Sequence, residues 1–273
     1  MARKRKKLAI IVPYRDREEH LKALVPALEE HLDKTGINYQ IWVVEQDDEQ
    51  PWNKGRLLNA GFDLTKDKFD YFCFHDVDLL PMNEKCDYSY VKDITHISTY
   101  VQQYGFIKQE DVYGEISFIG GVVLFPKKDF IKINGYSNGY WGWGAEDSDL
   151  YFRCVQNGIN IKTKPGKYHS QPHETSYEPL SYPELREEGE SLYWDKVDNK
   201  EAYFNSPSYR NIMRLYNIKE KWKDQTGYGA EEGYSTIKYN IVDQQKMFDK
   251  HKHVNLNFSV IDRNLWLDFC KGG

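Results

Sequence analysis

Two aspartates that follow an apolar run are the first residues whose types and spacing suggest chemistry. Asp76 and Asp78 come directly after the run Phe72–His75 and are separated by Val77. Residues i and i+2 of an extended segment point to the same side, so both carboxylates can face one site. Paired carboxylate oxygens suit Mg²⁺ or Mn²⁺ that holds a diphosphate. The alternative is a solvated turn in which the two aspartates cap backbone amides.

The segment Asn138–Asp149 combines two tryptophans, a tyrosine and three glycines with an acidic cluster. Glycines let a backbone approach a ligand closely, and indole faces stack on sugar rings. Glu146, Asp147 and Asp149 are predicted to occupy the first turn of a helix, with Asp147 on its buried side. The helix dipole there favours the ionised carboxylate that a general base requires. Ordinary acidity at the start of a helix is the alternative.

Two histidines are candidates for completing a metal site. His169 and His173 follow the predicted strand Ile159–Thr163. Imidazole beside the Asp78 carboxylate suits Mn²⁺ or Zn²⁺. A plain surface or core position is the alternative for each histidine.

The elements that must position these residues alternate between strands and helices. Apolar runs predict strands that are followed by segments of helical periodicity. In the first helical segment we expect an N-cap at Asp16 and, at Pro26, either a kink or a division into two short helices. This alternation predicts an α/β fold with a mixed, mostly parallel sheet flanked by helices. Such sheets bind ligands at the carboxyl ends of their strands. The predicted strands are Leu8–Val12, Tyr39–Val44 and Tyr71–His75, and the second helix is Leu57–Leu64.

The pattern fades beyond about Gly166. We expect residues 1–173 to form the core and residues 174–273 an extension packed on the same domain. A helix within residues 206–225 and a strand over Val254–Val260 are predicted in that extension.

Composition narrows the class of protein. The chain has 273 residues, of which 40% are hydrophobic, 29% charged and 15% aromatic, as expected for one globular domain with a modest appendage. A net charge of -5 argues against a broad nucleic-acid surface. No apolar run approaches the roughly 20 residues that span a bilayer, and no secretory signal is expected.

Cysteine usage and the basic start bear on location. The four cysteines lie far apart without a CxxC spacing, which argues against a zinc ribbon or disulfide scaffold and predicts reduced thiols in a cytoplasm. The run Arg3–Lys7 is either a solvated tail or a weak contact with an anionic membrane surface, such as the inner face of a cell membrane.

Taken together, five ordered segments resemble the β-1,4-galactosyltransferase family, which comprises inverting, metal-dependent enzymes with a GT-A fold. Ile11–Arg17 is similar to the family's Pro-Phe-Arg-Asn-Arg donor loop, and Trp52–Phe62 to its Phe-Asn-Arg-Ala-Lys-Leu-Leu-Asn-Val-Gly-Phe segment. Asp76–Asp78 matches an Asp-Val-Asp motif, and Gly120–Val122 a Gly-Gly-Val loop. Trp141–Asp149 is close to Trp-Gly-Trp-Gly-Gly-Glu-Asp-Asp-Asp.

The resemblance implies a role for each matched residue. Asp147 takes the position of the general base, with Glu146 as the fallback, and Trp143 and Glu146 contact the sugars. Asp78 binds Mn²⁺ together with His169, and His173 is the candidate third ligand. The residues implied in binding the UDP-sugar are Pro13, Tyr14, Arg15, Arg17, Trp52, Lys54, Asp76, Val77, Asp78, Gly120, Gly121 and Trp143.

Three features depart from the family's pattern. Around His169, Gly166 and Gln171 stand where the animal enzymes carry a methionine or a second histidine. Phe118 stands where galactose-specific members carry a tyrosine, which leaves N-acetylgalactosamine open as the donor sugar. The membrane anchor and stem of Golgi members are absent, so a freestanding and bacterial member is expected.

The resulting hypothesis is an inverting glycosyltransferase that moves galactose or N-acetylgalactosamine from a UDP-sugar to a glycan or glycolipid-linked acceptor with Mn²⁺. One alternative is a carbohydrate-binding protein without turnover, in which Tyr140, Trp141 and Trp143 stack on a glycan. The other is a nucleotide-sugar hydrolase with water as the acceptor.

Overall fold

The computed structural model describes residues 5–106, 119–172, 207–223, 225, 227–248 and 251–257. Its strands are β1 (Lys7–Tyr14), β2 (Asn38–Gln46), β3 (Tyr71–His75), β4 (Leu79–Pro81), β5 (Ile94–His96), β6 (Tyr100–Val101), β7 (Val122–Pro126), β8 (Ile161–Thr163), β9 (Lys167–Ser170), β10 (Asn240–Phe248) and β11 (His251–Asn257). Its α-helices are α1 (Glu18–Asp33), α2 (Lys54–Thr65), α3 (Lys127–Lys132), α4 (Glu146–Gln156) and α5 (Pro207–Trp222).

The main sheet has eight strands in the order β10-β11-β2-β1-β3-β7-β5-β8. Four of its seven neighbouring pairs are parallel, which confirms the predicted mixed, mostly parallel sheet. Strands β1, β2, β3 and β11 run in one direction, whereas β7 runs in the opposite one. The carboxyl ends of the four therefore meet the amino end of β7 at one edge of the sheet.

Strand β1 shows why the sheet is covered on both faces. Its residues are buried in alternation by two apolar clusters: Ile11 lies in one with residues of α2, and Val12 lies in the other with residues of α1. A strand that is apolar on both faces needs helices on both sides. The strand continues through Pro13 to Tyr14, two residues further than the apolar run predicts.

Helix α1 corrects two expectations from the sequence. It is one continuous helix through Pro26 rather than two short helices, because fully buried leucines on both sides of the proline, Leu24, Leu28 and Leu32, pack against the sheet. The predicted cap at Asp16 is wrong: Arg17 is the N-cap and makes no side-chain cap hydrogen bond, while Asp16 has a φ of 50°.

Helix α2 is held very close to the sheet. The side chain of Asn53 caps its first turn by accepting from the backbone N–H of Arg56. A Cβ at Gly61 would lie 2.5 Å from Ile11 and 3.1 Å from Val44, so only glycine allows this approach. The close packing fixes the start of α2, and with it Lys54, at the functional edge of the sheet.

A second sheet of three strands, in the order β4-β9-β6, lies beside this edge. In the antiparallel pair β4–β9, Leu80 lies opposite His169. The backbone N–H of Gln171 donates to the carbonyl of Asp78 at 2.8 Å and extends the pairing by one step.

The described C-terminal residues add two strands and a helix. Strand β11 pairs in parallel with β2, and β10 forms the outer antiparallel neighbour. Helix α5 confirms the helix predicted within residues 206–225. The predicted strand over 254–260 corresponds to β11, which begins three residues earlier, and its last three predicted residues lie outside the described chain. None of the described helices is long and apolar enough to cross a bilayer.

Candidate active site

The two aspartates of the first motif lie where the sheet predicts them, directly after β3. The backbone N–H of Asp76 donates to the carbonyl of Gly121 at 2.8 Å, which ties the aspartate segment to the loop before β7. The side chains of Val77 and Leu80 pack against the apolar cluster that contains α1. Asp76 and Asp78 are thus anchored by backbone contacts on both sides of Val77.

The Lys54 ammonium stands at the centre of the carboxylates. Its Nζ lies 3.0 Å from an oxygen of Asp76, 3.1 Å from one of Asp147 and 3.5 Å from one of Glu146. The Lys54 side chain is only 12% exposed, and those of the three acids are between 16% and 29% exposed. Asp76 and the adjacent pair Glu146 and Asp147, from two distant parts of the sequence, therefore share one cation.

This arrangement shifts the titration of both central groups. Burial raises the pKa of Asp147, and the neighbouring Lys54 ammonium opposes that rise while Glu146 and Asp76 add to it. Burial lowers the pKa of Lys54, but the charges of Asp147, Asp76 and Glu146 outweigh it and hold that pKa well above its ordinary value. Asp147 therefore takes up a proton more readily than an ordinary aspartate.

The Gly120–Gly121 loop gives Asp147 its space. A Cβ at Gly120 would lie 2.0 Å from an Asp147 carboxylate oxygen, and Gly121 has a φ of +73°. The carbonyl of Gly120 accepts from the Ser98 hydroxyl at 3.0 Å and lies 2.9 Å from Nε2 of His96. The loop is therefore held by His96 of β5 and by Ser98, which follows that strand.

His96 and Ser98 are site residues that sequence reasoning missed. Both are buried, and the Ser98 hydroxyl also accepts from the backbone N–H of Val122 at 2.8 Å. Their alternating spacing at the end of a short buried strand, Ile94–His96, gives only a weak signal, because such spacing is common in buried strands.

Helix α4 begins with the acidic turn that the sequence predicts. Its N-cap, Ala145, has a φ of 70°, and the carbonyl of Asp147 accepts from the backbone N–H of Ile119 at 3.3 Å. Asp149 points away from the site: it is fully buried and pairs with Arg153 at 2.7 Å. Two acids of the cluster, Glu146 and Asp147, thus face Lys54. The third, Asp149, forms an ion pair within the helix.

The aromatic segment before α4 has one exposed ring. Trp141 is fully buried and Tyr140 is 2% exposed, with its hydroxyl 3.1 Å from Asp149, whereas Trp143 is 55% exposed. Tyr140 and Trp141 therefore pack in the interior and do not present a ring to a sugar. Only Trp143 has a face open to a sugar, which removes two of the three stacking residues that the carbohydrate-binding alternative needs.

The residues expected to hold a metal are partly brought together. The β4–β9 ladder places Asp78 next to the strand that carries His169, and a carboxylate with an imidazole fits Mn²⁺. A Cβ at Gly166 would lie 2.3 Å from the carbonyl of Ile97, so no side chain fits there. The Gln171 amide donates to the carbonyls of His20 and Val77, both at 3.3 Å.

His173, the expected third ligand, lies outside the described residues. No cluster of three or more histidine, cysteine, aspartate or glutamate side chains able to hold a metal occurs in the part of the chain that the structure describes. The fit to Mn²⁺ therefore rests on Asp78 and His169.

The predicted donor loop follows β1. Pro13 and Tyr14 are buried in the strand, and the Arg15 guanidinium donates to the backbone carbonyls of Gln46, Asp48 and Gln50. Arg15 thus fastens the loop after β2 to the loop after β1.

Trp52 connects the β2 loop to the aromatic segment. Its carbonyl accepts from the backbone N–H of Gly142 at 2.7 Å, and its side chain packs partly buried against the core. Arg17, at the start of α1, is partly exposed at the same edge.

Comparison with known proteins agrees with this geometry. A family model described as the N-terminal region of glycosyl transferase group 7 matches residues 2–90, and one described as the N-terminal domain of galactosyltransferase matches residues 107–174. The chain is 35% identical to β-1,4-galactosyltransferase 7 of Drosophila melanogaster over 272 residues, which covers 97% of this chain and 74% of that enzyme. The chain belongs to the glycosyltransferase group 7 family.

Other members of the family match a shorter part. The chain is 39% identical over 157 residues to β-1,4-galactosyltransferase 1 of Bos taurus and of Homo sapiens. These matches cover 57% of this chain and 38% of the length of either mammalian enzyme.

Solved structures of the family share the fold. The catalytic domain of Drosophila β-1,4-galactosyltransferase 7 in complex with xylobiose superposes with a TM-score of 0.66 at 26% identity, covering 96% of this chain and 98% of that one. A mutant of that enzyme in complex with manganese, UDP-Gal and xylobiose gives a TM-score of 0.65 at 25% identity. The GT-A fold expected from the sequence is thereby confirmed.

Proposed function

We propose that this member of the glycosyltransferase group 7 family is an inverting glycosyltransferase that moves galactose, or N-acetylgalactosamine, from a UDP-sugar to a sugar hydroxyl. One observation carries the proposal: a partly buried Asp147 carboxylate with a raised pKa shares Lys54 with Asp76, two residues from the expected metal ligand Asp78. These contacts support a base and a diphosphate site at one edge of the sheet.

In this proposal Asp147 removes the proton from the acceptor hydroxyl as that oxygen attacks the anomeric carbon. Inversion needs a single base on the face opposite the leaving group, and general-base catalysis typically contributes ~10²–10⁴-fold. Lys54 lowers the pKa of Asp147 against the effect of burial and orients its carboxylate, and Gly120 leaves the space beside that carboxylate. Glu146 lies on the same cation and is the fallback base.

Asp78 and His169 would hold Mn²⁺, with His173 as the proposed third ligand. When bound, the metal supplies positive charge for the diphosphate leaving group. The proposed nucleotide side of the cleft is formed by Pro13, Tyr14, Arg15 and Arg17. Its proposed walls are formed by Trp52, Val77 and Gly121. Trp143 is the proposed platform for a sugar ring, because its indole is exposed beside the base.

The proposed division of the chain places the nucleotide-sugar site in residues 1–173 and the acceptor side in residues 174–273. Strands β10 and β11 and helix α5 support an extension that packs on the same domain, since β11 continues the main sheet and α5 contacts the segment that carries Trp143. The acceptor is proposed to be a glycan or a glycolipid-linked sugar.

The experiment is UDP release from UDP-galactose and from UDP-N-acetylgalactosamine, with Mn²⁺ or with a chelator, against a panel of sugars. Xylobiose is the first acceptor to test, because the structural relative binds it. Release that requires both the acceptor and Mn²⁺ supports the proposal and identifies the donor sugar. Phe118, which lies outside the described residues, is the residue to vary in order to test what selects that sugar.

Two results would contradict the transferase. Equal release with and without any acceptor would indicate a hydrolase. Absence of release together with absence of Mn²⁺-dependent UDP binding would indicate a carbohydrate-binding protein.

We further propose a reducing, cytoplasmic location with weak contact to an anionic membrane surface. Three buried cysteines, Cys73, Cys86 and Cys154, carry free thiols. Arg5, Lys6 and Lys7 are exposed, although Lys6 pairs with Asp70 at 2.9 Å. Co-sedimentation with phosphatidylserine vesicles at low salt, absent with phosphatidylcholine alone, is the expected result; no difference between the two would contradict the membrane contact.

A further inference from the structure

Helix α5 packs on the candidate active site through a stripe of three residues. Pro207, Asn211 and Arg214 follow one another at intervals of four and three residues, so they share one face of the helix. The buried residues of α5 are Ser208 and Asn211, both polar. Buried polar side chains are usually held by hydrogen bonds, so the partners of Asn211 indicate what this face contacts.

That stripe lies against the segment Gly139–Trp143. A Cβ at Gly142 would lie 2.8 Å from Pro207, and one at Gly139 would lie 2.5 Å from the Arg214 guanidinium. The same guanidinium stands 5.6 Å from the centre of the Tyr140 ring. Every residue of the stripe therefore contacts the stretch of chain that ends in the exposed Trp143.

Asn211 makes the most specific of these contacts. Its side-chain Nδ2 donates to the carbonyl of Trp141 at 2.9 Å and to the carbonyl of Trp143 at 3.2 Å. The intervening Gly142 N–H donates to the carbonyl of Trp52 at 2.7 Å. Three consecutive residues are thus fixed through their backbone, two of them by a single side chain.

The Trp143 indole itself has little else to hold it. It is 55% exposed, and the residues that follow it, Gly144 and Ala145, have φ values of 102° and 70°. A Cβ at Gly144 would have no neighbour within 4 Å. The orientation of the ring therefore depends on the backbone carbonyls that Asn211 fixes.

We propose that Asn211 is a positioning residue for acceptor binding: its amide fixes the Trp141–Trp143 backbone and thereby the sugar platform of Trp143. This inference rests on the proposed function and extends it to a helix that neither matching family model includes, since those matches end at residue 174. Asn211 touches no reacting atom and acts through the tryptophan.

The Asn211 side chain allows a clean substitution. Its buried Oδ1 makes no hydrogen bond with any part of the chain that the structure describes. Asn211→Asp keeps the shape, removes the Nδ2 donor and places a second oxygen against two carbonyls. Asn211→Ala removes both bonds without adding a charge.

The same helix supplies a matched control. Asn217 lies six residues further along α5 and is exposed, so Asn217→Asp and Asn217→Ala make the same chemical changes away from the site. Melting temperatures of all four variants separate loss of the platform from loss of the fold.

The kinetic test uses UDP-galactose and xylobiose as probes. Loss of two hydrogen bonds predicts a KM for the acceptor raised about tenfold in Asn211→Asp, with the KM for UDP-galactose close to that of the parent. If Asn211 acts through Trp143, Asn211→Asp adds little further loss on a Trp143→Ala background.

A second measurement needs no turnover. The fluorescence of Trp143 is obtained by subtracting the signal of a protein that carries Trp143→Phe from the signal of the same protein without it. We expect the anisotropy of this Trp143 fluorescence to fall in Asn211→Asp but not in Asn217→Asp. Unchanged anisotropy in Asn211→Asp overturns the proposal, even if the parent protein transfers no sugar.

Kinetic results can overturn it as well. An unchanged acceptor KM in Asn211→Asp, or fully additive effects of Asn211→Asp and Trp143→Ala, contradicts the positioning role although the parent remains a transferase. Equal losses in donor KM, acceptor KM and melting temperature would assign Asn211 a general structural role instead.

Discussion

The Asp147 carboxylate combines two properties that a general base needs. It is partly buried against Gly120, which raises its pKa, and it lies 3.1 Å from the Lys54 ammonium, which lowers that pKa towards the ionised form. Burial without Lys54 would leave it protonated, whereas full exposure would give it the low pKa and weak basicity of an ordinary aspartate.

Replacement of this base is the first prediction. Asp147→Asn keeps the size of the side chain and removes its ability to accept a proton, so we expect transfer to fall by ~10²–10⁴-fold. UDP binding, measured by calorimetry with Mn²⁺, should remain. Asp93→Asn, at an exposed aspartate paired with Lys162, is the control. Near-parental transfer by Asp147→Asn would rule out Asp147 as the base.

The dependence of rate on pH is the second prediction. Because the pKa of Asp147 is raised, kcat/KM should rise with pH through a limb that lies above the usual titration range of an aspartate. Lys54 lowers that pKa, so Lys54→Met should move the limb to higher pH as well as weaken donor binding. Lys34→Met, at an exposed pair with Glu30, is the control. A limb that does not move, or moves to lower pH, would contradict the assignment.

The start of helix α4 carries local backbone strain. Ala145 is the N-cap at a φ of 70°, a conformation that costs an L-residue with a Cβ roughly 1–2 kcal/mol. Since the strained residue directly precedes Glu146 and Asp147, it sets the direction in which both carboxylates leave the backbone.

Relief of this strain is the third prediction. Ala145→Gly should raise the melting temperature or leave it unchanged, with transfer activity retained, because glycine adopts this φ freely. Ala23→Gly, the same substitution inside helix α1, should lower the melting temperature, since glycine costs about 1 kcal/mol there. A loss of stability in Ala145→Gly equal to that in Ala23→Gly would contradict the strain.

Among the elements, those with apolar runs were predictable and those with polar contacts were not. The buried strands β1, β2 and β3 and the helices between them follow from periodicity. Strand β10 contains Asp243, Gln244 and Gln245, and its pairing with β11 leaves no apolar alternation to detect. Helix α5 was predicted from its apolar residues, yet it faces the site through Asn211.

At the scale of the whole molecule, the order of the motifs predicted the site better than any one of them. Strands β1, β2 and β3 are parallel and end at Tyr14, Gln46 and His75, so the loops after them had to meet at one edge. The side-chain partners within that edge could not be deduced, because they depend on contacts between segments far apart in sequence, such as Lys54 with Asp147, 93 residues away. The burial of Trp141 likewise depends on tertiary packing.

A buried arginine makes several of the contacts that join the active-site helix to the C-terminal third. Arg153 is fully buried and pairs with Asp149 at 2.7 Å on its own helix and with Glu232 at 2.6 Å across the chain. It also donates to the Glu232 carbonyl at 2.9 Å, and its guanidinium lies 5.1 Å from the centre of the Tyr228 ring. The cation therefore links α4 to a segment that follows α5.

Loss of this link is the fourth prediction. Arg153→Met leaves the Asp149 carboxylate buried without its cation, which costs about 3–5 kcal/mol of unfolding free energy, measured by urea denaturation. Asp149→Leu in the same chain should restore part of that loss, because an apolar pair needs no partner charge. Lys22→Met, at an exposed pair with Glu18, should leave the urea midpoint unchanged. If Arg153→Met were as harmless as Lys22→Met, the acidic turn of α4 would not depend on the C-terminal third for its position.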